Sequence, residues 1–212
     1  MELLRSLHAV AGIVIALSGL IQIILPKGGM RHAMTGLTYL CAWLVTLVSG
    51  AFIGNPMITS FGIFGFYMAL TGWRFASRRR STHKTAEKVV VVVGALSALG
   101  TLAFGTYLLT IKDNFGWVGI FLGLIFTFFC FRDLIEYVFK KKIREIKSTK
   151  SQWYFEHISR MYISYIAAMT AFTVIQHIFQ NDYMNWMVPS ISGFILIPVS
   201  LRFFRKKLDE KK

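Results

Sequence analysis

The stretch Gln152 to Phe172, "QWYFEHISRMYISYIAAMTAF", places Glu156, His157 and Arg160 at the head of an otherwise apolar run. His157 and Arg160 stand three residues apart, as do Asp133 and Glu136 in "RDLIEY". That spacing projects each pair from one face of a helix. Two kinds of chemistry suit these residue types. Imidazoles, with or without carboxylates, bind iron, copper, zinc or a haem iron, and a guanidinium neutralises an anionic substrate or a haem propionate. Alternatively, carboxylate and guanidinium inside a membrane satisfy one another, here as an Asp133–Arg160 salt bridge between consecutive antiparallel helices.

The elements that must position these groups are apolar. Of 212 residues, 55% are hydrophobic and 16% charged, with a mean hydropathy of +0.54, a composition that few soluble domains share. Seven apolar stretches, about 3–25, 33–53, 57–76, 89–111, 115–139, 153–179 and 186–204, each approach the roughly 20 residues that span a bilayer. They predict an all-α polytopic transmembrane bundle of seven helices as a single domain, 1–204, followed by a basic cytoplasmic tail, 205–212.

The net charge of +14 is concentrated in alternate connections. Lys27 and Arg31 lie in the first, Arg78, Arg79, Arg80, Lys84 and Lys88 in the third, and Lys140, Lys141, Lys142, Arg144, Lys147 and Lys150 in the fifth; six more basic residues close the chain. By the positive-inside rule the N-terminus is outside and the C-terminus cytoplasmic, in a multi-pass protein of the cell membrane, a bacterial inner membrane. The expected partners are the lipid bilayer and its anionic heads, not nucleic acid. Read as a cleaved signal peptide, the first segment would place the tail on the side opposite the remaining charge pattern. Cys41 and Cys130 fall inside spans and read as packing residues. There is no nucleotide loop, CxxC pair or convincing internal repeat.

Depth shows which polar groups can meet. At about 1.5 Å per residue, His157 and Arg160 lie about 6 and 10 Å inside the cytoplasmic end of the sixth helix, and Asp133 and Glu136 about 10 and 5 Å inside that of the fifth. His32 opens the second helix and Arg74 closes the third, so six ionisable groups share one layer, bordered by Arg132 and Glu156. One haem or transition metal would take His32 and His157, with Asp133 and Glu136 as further metal ligands and Arg160 and Arg74 as neutralising cations. His8 and His177 form a second, outer pair. A two-haem scheme is disfavoured, because His157 and His177 are about 30 Å apart along one helix. His177, beside Gln176 and Gln180, also reads as an interfacial hydrogen-bonding residue, and His83 as a solvated loop residue.

Other features need only packing. Ser164, Ala167, Ala168 and Ala171 continue the Arg160 face as a small-residue stripe for close helix approach. Trp117, Trp153, Trp186, Tyr107 and Tyr183 fit an aromatic belt. Gly119 and Gly123 mark a candidate homodimer face, and Pro189 and Pro198 would kink the seventh helix and free a backbone carbonyl.

Three blocks in order, "LHAVAG" through "KGGMRHAMTGLTYL", "FYMALTGWRFASRR", and "FEHISRMYISYIAAMTAF" followed by "WMVPSISG", span most of the chain. They resemble a bacterial family of predicted polytopic membrane proteins catalogued as a domain of unknown function. The resemblance implies the architecture and no activity. Its motif positions fall on His8, His32, Gly36, Gly72, Asp133, His157 and Arg160, which favours the set His32, Asp133, His157 and Arg160. Four functions fit: a metal- or haem-binding protein for redox work or cofactor handling; a proton-coupled small-molecule transporter using Asp133, His157 and Arg160 as a relay; a zinc hydrolase, though HExxH is missing; or a noncatalytic membrane protein with a structural ion-pair network.

Overall fold

Each apolar stretch becomes a helix. The computed structural model describes residues 1–77, 84–137 and 152–209, without the side chains of residues 77, 84, 87, 136, 137, 152 and 207–209. Among the described residues there are seven helices and no strands: α1 (Glu2–Ile24), α2 (Met30–Ile53), α3 (Pro56–Ser77), α4 (Lys84–Thr110), α5 (Gly116–Tyr137), α6 (Gln152–Gln176) and α7 (Asp182–Asp209). All but α3 are long and apolar enough to cross a membrane. The chain is therefore a multi-pass α-helical membrane protein.

Local chemistry sets the helix boundaries. Asn55 accepts a hydrogen bond from the Met57 amide at 2.8 Å and Pro56 takes the first helical position of α3, a side-chain cap followed by a residue with no amide to lose. Lys112 ends α4 in the left-handed region, φ 62°, with the Asp113 amide reaching back to the Leu108 carbonyl at 2.9 Å. His177 does the same for α6 at φ 47°, so α6 stops at Gln176, short of the end of the apolar run. α7 begins earlier than its apolar stretch and continues into the tail, because Arg and Lys are good helix formers beyond the hydrocarbon.

α3 lies at the centre, in contact with α2, α4, α5 and α6. Its buried residues include Phe61, Phe64, Tyr67, Met68 and Phe75, and the first three help form the larger core with Phe126 of α5 and Trp186 of α7. Protein rather than lipid surrounds it, so its hydroxyl-bearing residues are tolerated. Trp186 accordingly leaves the expected aromatic belt and packs on Phe61, with ring centres 4.9 Å apart. In α7, Pro189 cannot donate to the carbonyl of Asn185, and the Thr173 hydroxyl donates to it instead, at 2.7 Å.

Gly119 and Gly123 face α4. A Cβ on Gly119 would come 2.8 Å from the Gly105 Cα, and one on Gly123 would come 2.7 Å from the Leu102 Cγ. The contact read as a candidate dimer face is thus used within the chain. On the same helix as Gly105, Gly100 has open space where its Cβ would be. Gly105→Leu is expected to abolish a monodisperse peak in size-exclusion chromatography or to lower its thermal midpoint sharply, while Gly100→Leu leaves both near wild type.

Candidate functional site: a buried ion pair beside two histidines

α5 and α6 bring Asp133 and Arg160 together with no solvent exposure of either residue. Arg160 Nη2 donates to Asp133 Oδ1 at 2.5 Å and Nη1 to Oδ2 at 2.8 Å, the two-point geometry in which a guanidinium holds a carboxylate best. Two α3 hydroxyls complete the arrangement. Tyr67 donates to Asp133 Oδ2 at 2.6 Å, and Thr71 Oγ1 accepts from Arg160 Nη1 at 2.8 Å. The Thr71 proton goes to the Tyr67 carbonyl at 2.7 Å, which leaves its oxygen free to accept. The guanidinium also lies against the Phe75 ring, 4.9 Å from its centre, and the Phe129 ring at 5.7 Å. Arg160 Nε has no hydrogen-bond partner but stands 3.5 Å from Glu156 Oε2, an ionic contact; Glu156 in turn pairs with Arg132.

This cluster is closed on itself. Both Asp133 oxygens are occupied, and the charges cancel in a medium that solvates neither. Sequence reading found the charged partners by depth but missed Tyr67 and Thr71. Their signal was available: Tyr67, Thr71 and Phe75 recur every four residues and so share one face of α3.

Gly72 is what lets α3 come this close. A Cβ there would sit 3.0 Å from the Arg160 Cβ and 3.3 Å from the Met161 Sδ. The same glycine offers its carbonyl to His157 Nδ1 at 2.9 Å. A carbonyl only accepts, so Nδ1 carries the proton and Nε2 of a neutral ring keeps its lone pair. His32, on the first turn of α2, faces His157 edge-on with ring centres 6.2 Å apart, and its Nδ1 is buried without a hydrogen-bond partner. The His32 carbonyl accepts from Gln22 Nε2 at 2.6 Å, and a Cβ on Gly36 would come within 3.1 Å of that same nitrogen.

Lys27 closes the α1–α2 turn beside this pair. Its ammonium donates to the Gln22 and Ile23 carbonyls at the end of α1, and burial lowers its pKa from the usual lysine value.

Other expected ligands are placed elsewhere. Among the described residues no group of three or more His, Cys, Asp or Glu converges as a metal site. Of the expected ligands His32, His157, Asp133 and Glu136, the two histidines face each other, Asp133 is turned into its ion pair, and the Glu136 side chain lies outside the described residues. Arg74 ends α3 and is partly buried. The outer histidines have separate partners, His8 Nδ1 lying 3.0 Å from Ser49 Oγ and His177 Nδ1 3.3 Å from Asp182 Oδ1 at an exposed turn. His83 and the basic loops at 78–83 and 138–151 lie outside the described residues.

Compared with protein-family models, curated proteins and solved structures, the chain matches no family model and shows no significant match to a curated protein or a solved structure.

Asp133→Ala is expected to cost about 3–5 kcal/mol, because it strands a buried guanidinium, whereas the double substitution Asp133→Leu with Arg160→Met recovers most of that loss. Tyr67→Phe removes one hydrogen bond to a charged group, about 1.5–3 kcal/mol. Denaturant titration in mild detergent orders the three.

Proposed function

We propose that this membrane protein binds one transition-metal ion, or the iron of one haem, between His32 and His157, for electron transfer or cofactor delivery. The observation that carries the reading is the Gly72 carbonyl bound to His157 Nδ1. A hydrogen bond of this type, on the nitrogen opposite the metal, fixes the tautomer and the ring direction of metal-binding histidines. It leaves the Nε2 lone pair free for a neighbouring ion. With metal–nitrogen bonds of about 2.0–2.1 Å, two imidazoles sharing one ion have ring centres about 5–6 Å apart, close to the separation found here.

Two protein nitrogens leave coordination positions open, as a site that exchanges its cargo or admits a substrate needs. Lys27 supplies positive charge for an anionic group there, a haem propionate or a small anion. Asp133 and Arg160 then serve to hold α6 against α3 and α5. Their closed pairing counts against the proton-relay reading, which needs a carboxylate free to take up and release a proton.

Detergent-purified protein is expected to carry about one metal ion per chain by elemental analysis, or a Soret band if the iron is that of haem. His157→Ala and His32→Ala each abolish it, while Thr106→Ala, exposed near the far end of α4, does not. A colourless, metal-free preparation that is folded and takes up neither ion nor haem on titration would contradict the proposal.

A further inference from the structure

The two imidazoles are held differently. His157 is aimed through its ring, by the Gly72 carbonyl. His32 stands on the first turn of α2 with its Nδ1 buried and unpartnered. A helix end frays, because its first four amides have no partner within the helix. The hold on His32 is on its backbone, and it comes from α1.

Gln22 and His32 stand five residues either side of Lys27, so the short turn between α1 and α2 brings them level. Gly28 carries that turn through the left-handed region, φ 87°. Gln22 Nε2 then donates across it to the His32 carbonyl at 2.6 Å. A carbonyl only accepts, so the NH₂ end of the amide faces α2. The backbone of Gln22 is fixed in turn, its own carbonyl accepting from the Lys27 ammonium. Gly36, one turn beyond His32, leaves the amide its room: a Cβ there would stand 3.1 Å from Gln22 Nε2. An amide on so apolar a helix is costly unless bonded, and this bond ends at the residue that carries the imidazole.

We propose that Gln22 is a positioning residue for the histidine pair. By tying the first turn of α2 to α1 it sets the distance and direction of the His32 ring toward His157. The consequence for binding rests on the metal reading; the consequence for the ring does not. Groups that orient metal-binding side chains from behind carry about 10–100-fold in affinity.

Gln22→Met keeps the length of the side chain and removes its N–H groups. In calorimetric titration of the detergent-purified full-length protein with zinc ion, Gln22→Met is expected to bind about 10–100-fold more weakly than wild type, and Gln176→Met, exposed at the other end of α6, as tightly as wild type. A hydrogen bond that only stabilises the fold would lower the thermal midpoint of the metal-free protein and leave the zinc affinity of the folded fraction unchanged; that result overturns the proposal. Wild-type protein that takes up no zinc speaks to the metal reading and not to Gln22, which the metal-free protein then decides. Nuclear Overhauser contacts between the His32 and His157 rings, assigned with His32→Ala, are expected in wild type and lost in Gln22→Met; contacts that persist in the variant overturn the proposal. Should Gln22→Met misfold, Gly36→Ala, which crowds the same amide, is read in its place.

Discussion

A guanidinium and a carboxylate that have left water must find each other, and the arrangement of the central helices follows from how Asp133 and Arg160 do so. Each charge alone at the bilayer centre would cost about 3 kcal/mol or more, a large fraction of the roughly 5–15 kcal/mol that holds a domain together. The pair is made at two points, Asp133 Oδ2 also accepts from Tyr67, and a further Arg160 N–H goes to Thr71. Those partners come from α3, α5 and α6. The ion pair thus fixes three helices in register as well as in proximity, which apolar side chains sliding against one another do less well.

Register matters because the next residues along make a second contact between α3 and α6. Arg160 and His157 are one turn apart on α6, and Thr71 and Gly72 are neighbours on α3. The side chain of Thr71 meets Arg160 while the carbonyl of Gly72 meets His157. A displacement of either helix by one residue would break both contacts. On this account the ion pair aims an imidazole, and Gly72 both permits the close approach and selects the tautomer. A larger residue at that position would lengthen the very hydrogen bond on which the imidazole depends.

Much of this was legible in the sequence. The apolar stretches located the seven helices of the described residues, and counting depth from their ends put Asp133 and Arg160 at one level. The small-residue stripe on α6 correctly implied that the Arg160 face is interior: Ser164 and Ala167 are buried alongside it. What was not legible has physical causes. Tyr67 and Thr71 carry no charge, so matching ionisable groups by depth passes over them, and their four-residue spacing shows a shared face of α3 without naming its partner. Glycines that permit close approach do not say which helix approaches, and Gly119 and Gly123 meet α4 of the same chain. Hydropathy also misplaces helix ends, since α6 stops where His177 turns left-handed and α7 runs on through Arg205 and Lys206.

On the function proposed above the histidine pair is the binding site, and the state of one ring is the most direct point of contact with experiment. Long-range nitrogen–proton correlation spectra of the metal-free protein, labelled with ¹⁵N only at histidine and assigned with His157→Ala, report which ring nitrogen bears the proton. The account predicts His157 as the Nδ1–H tautomer, with a slowly exchanging proton held by the Gly72 carbonyl and Nε2 unprotonated. A ring protonated at Nε2, alone or together with Nδ1, would leave Nε2 without the lone pair that a bound ion needs and would contradict it.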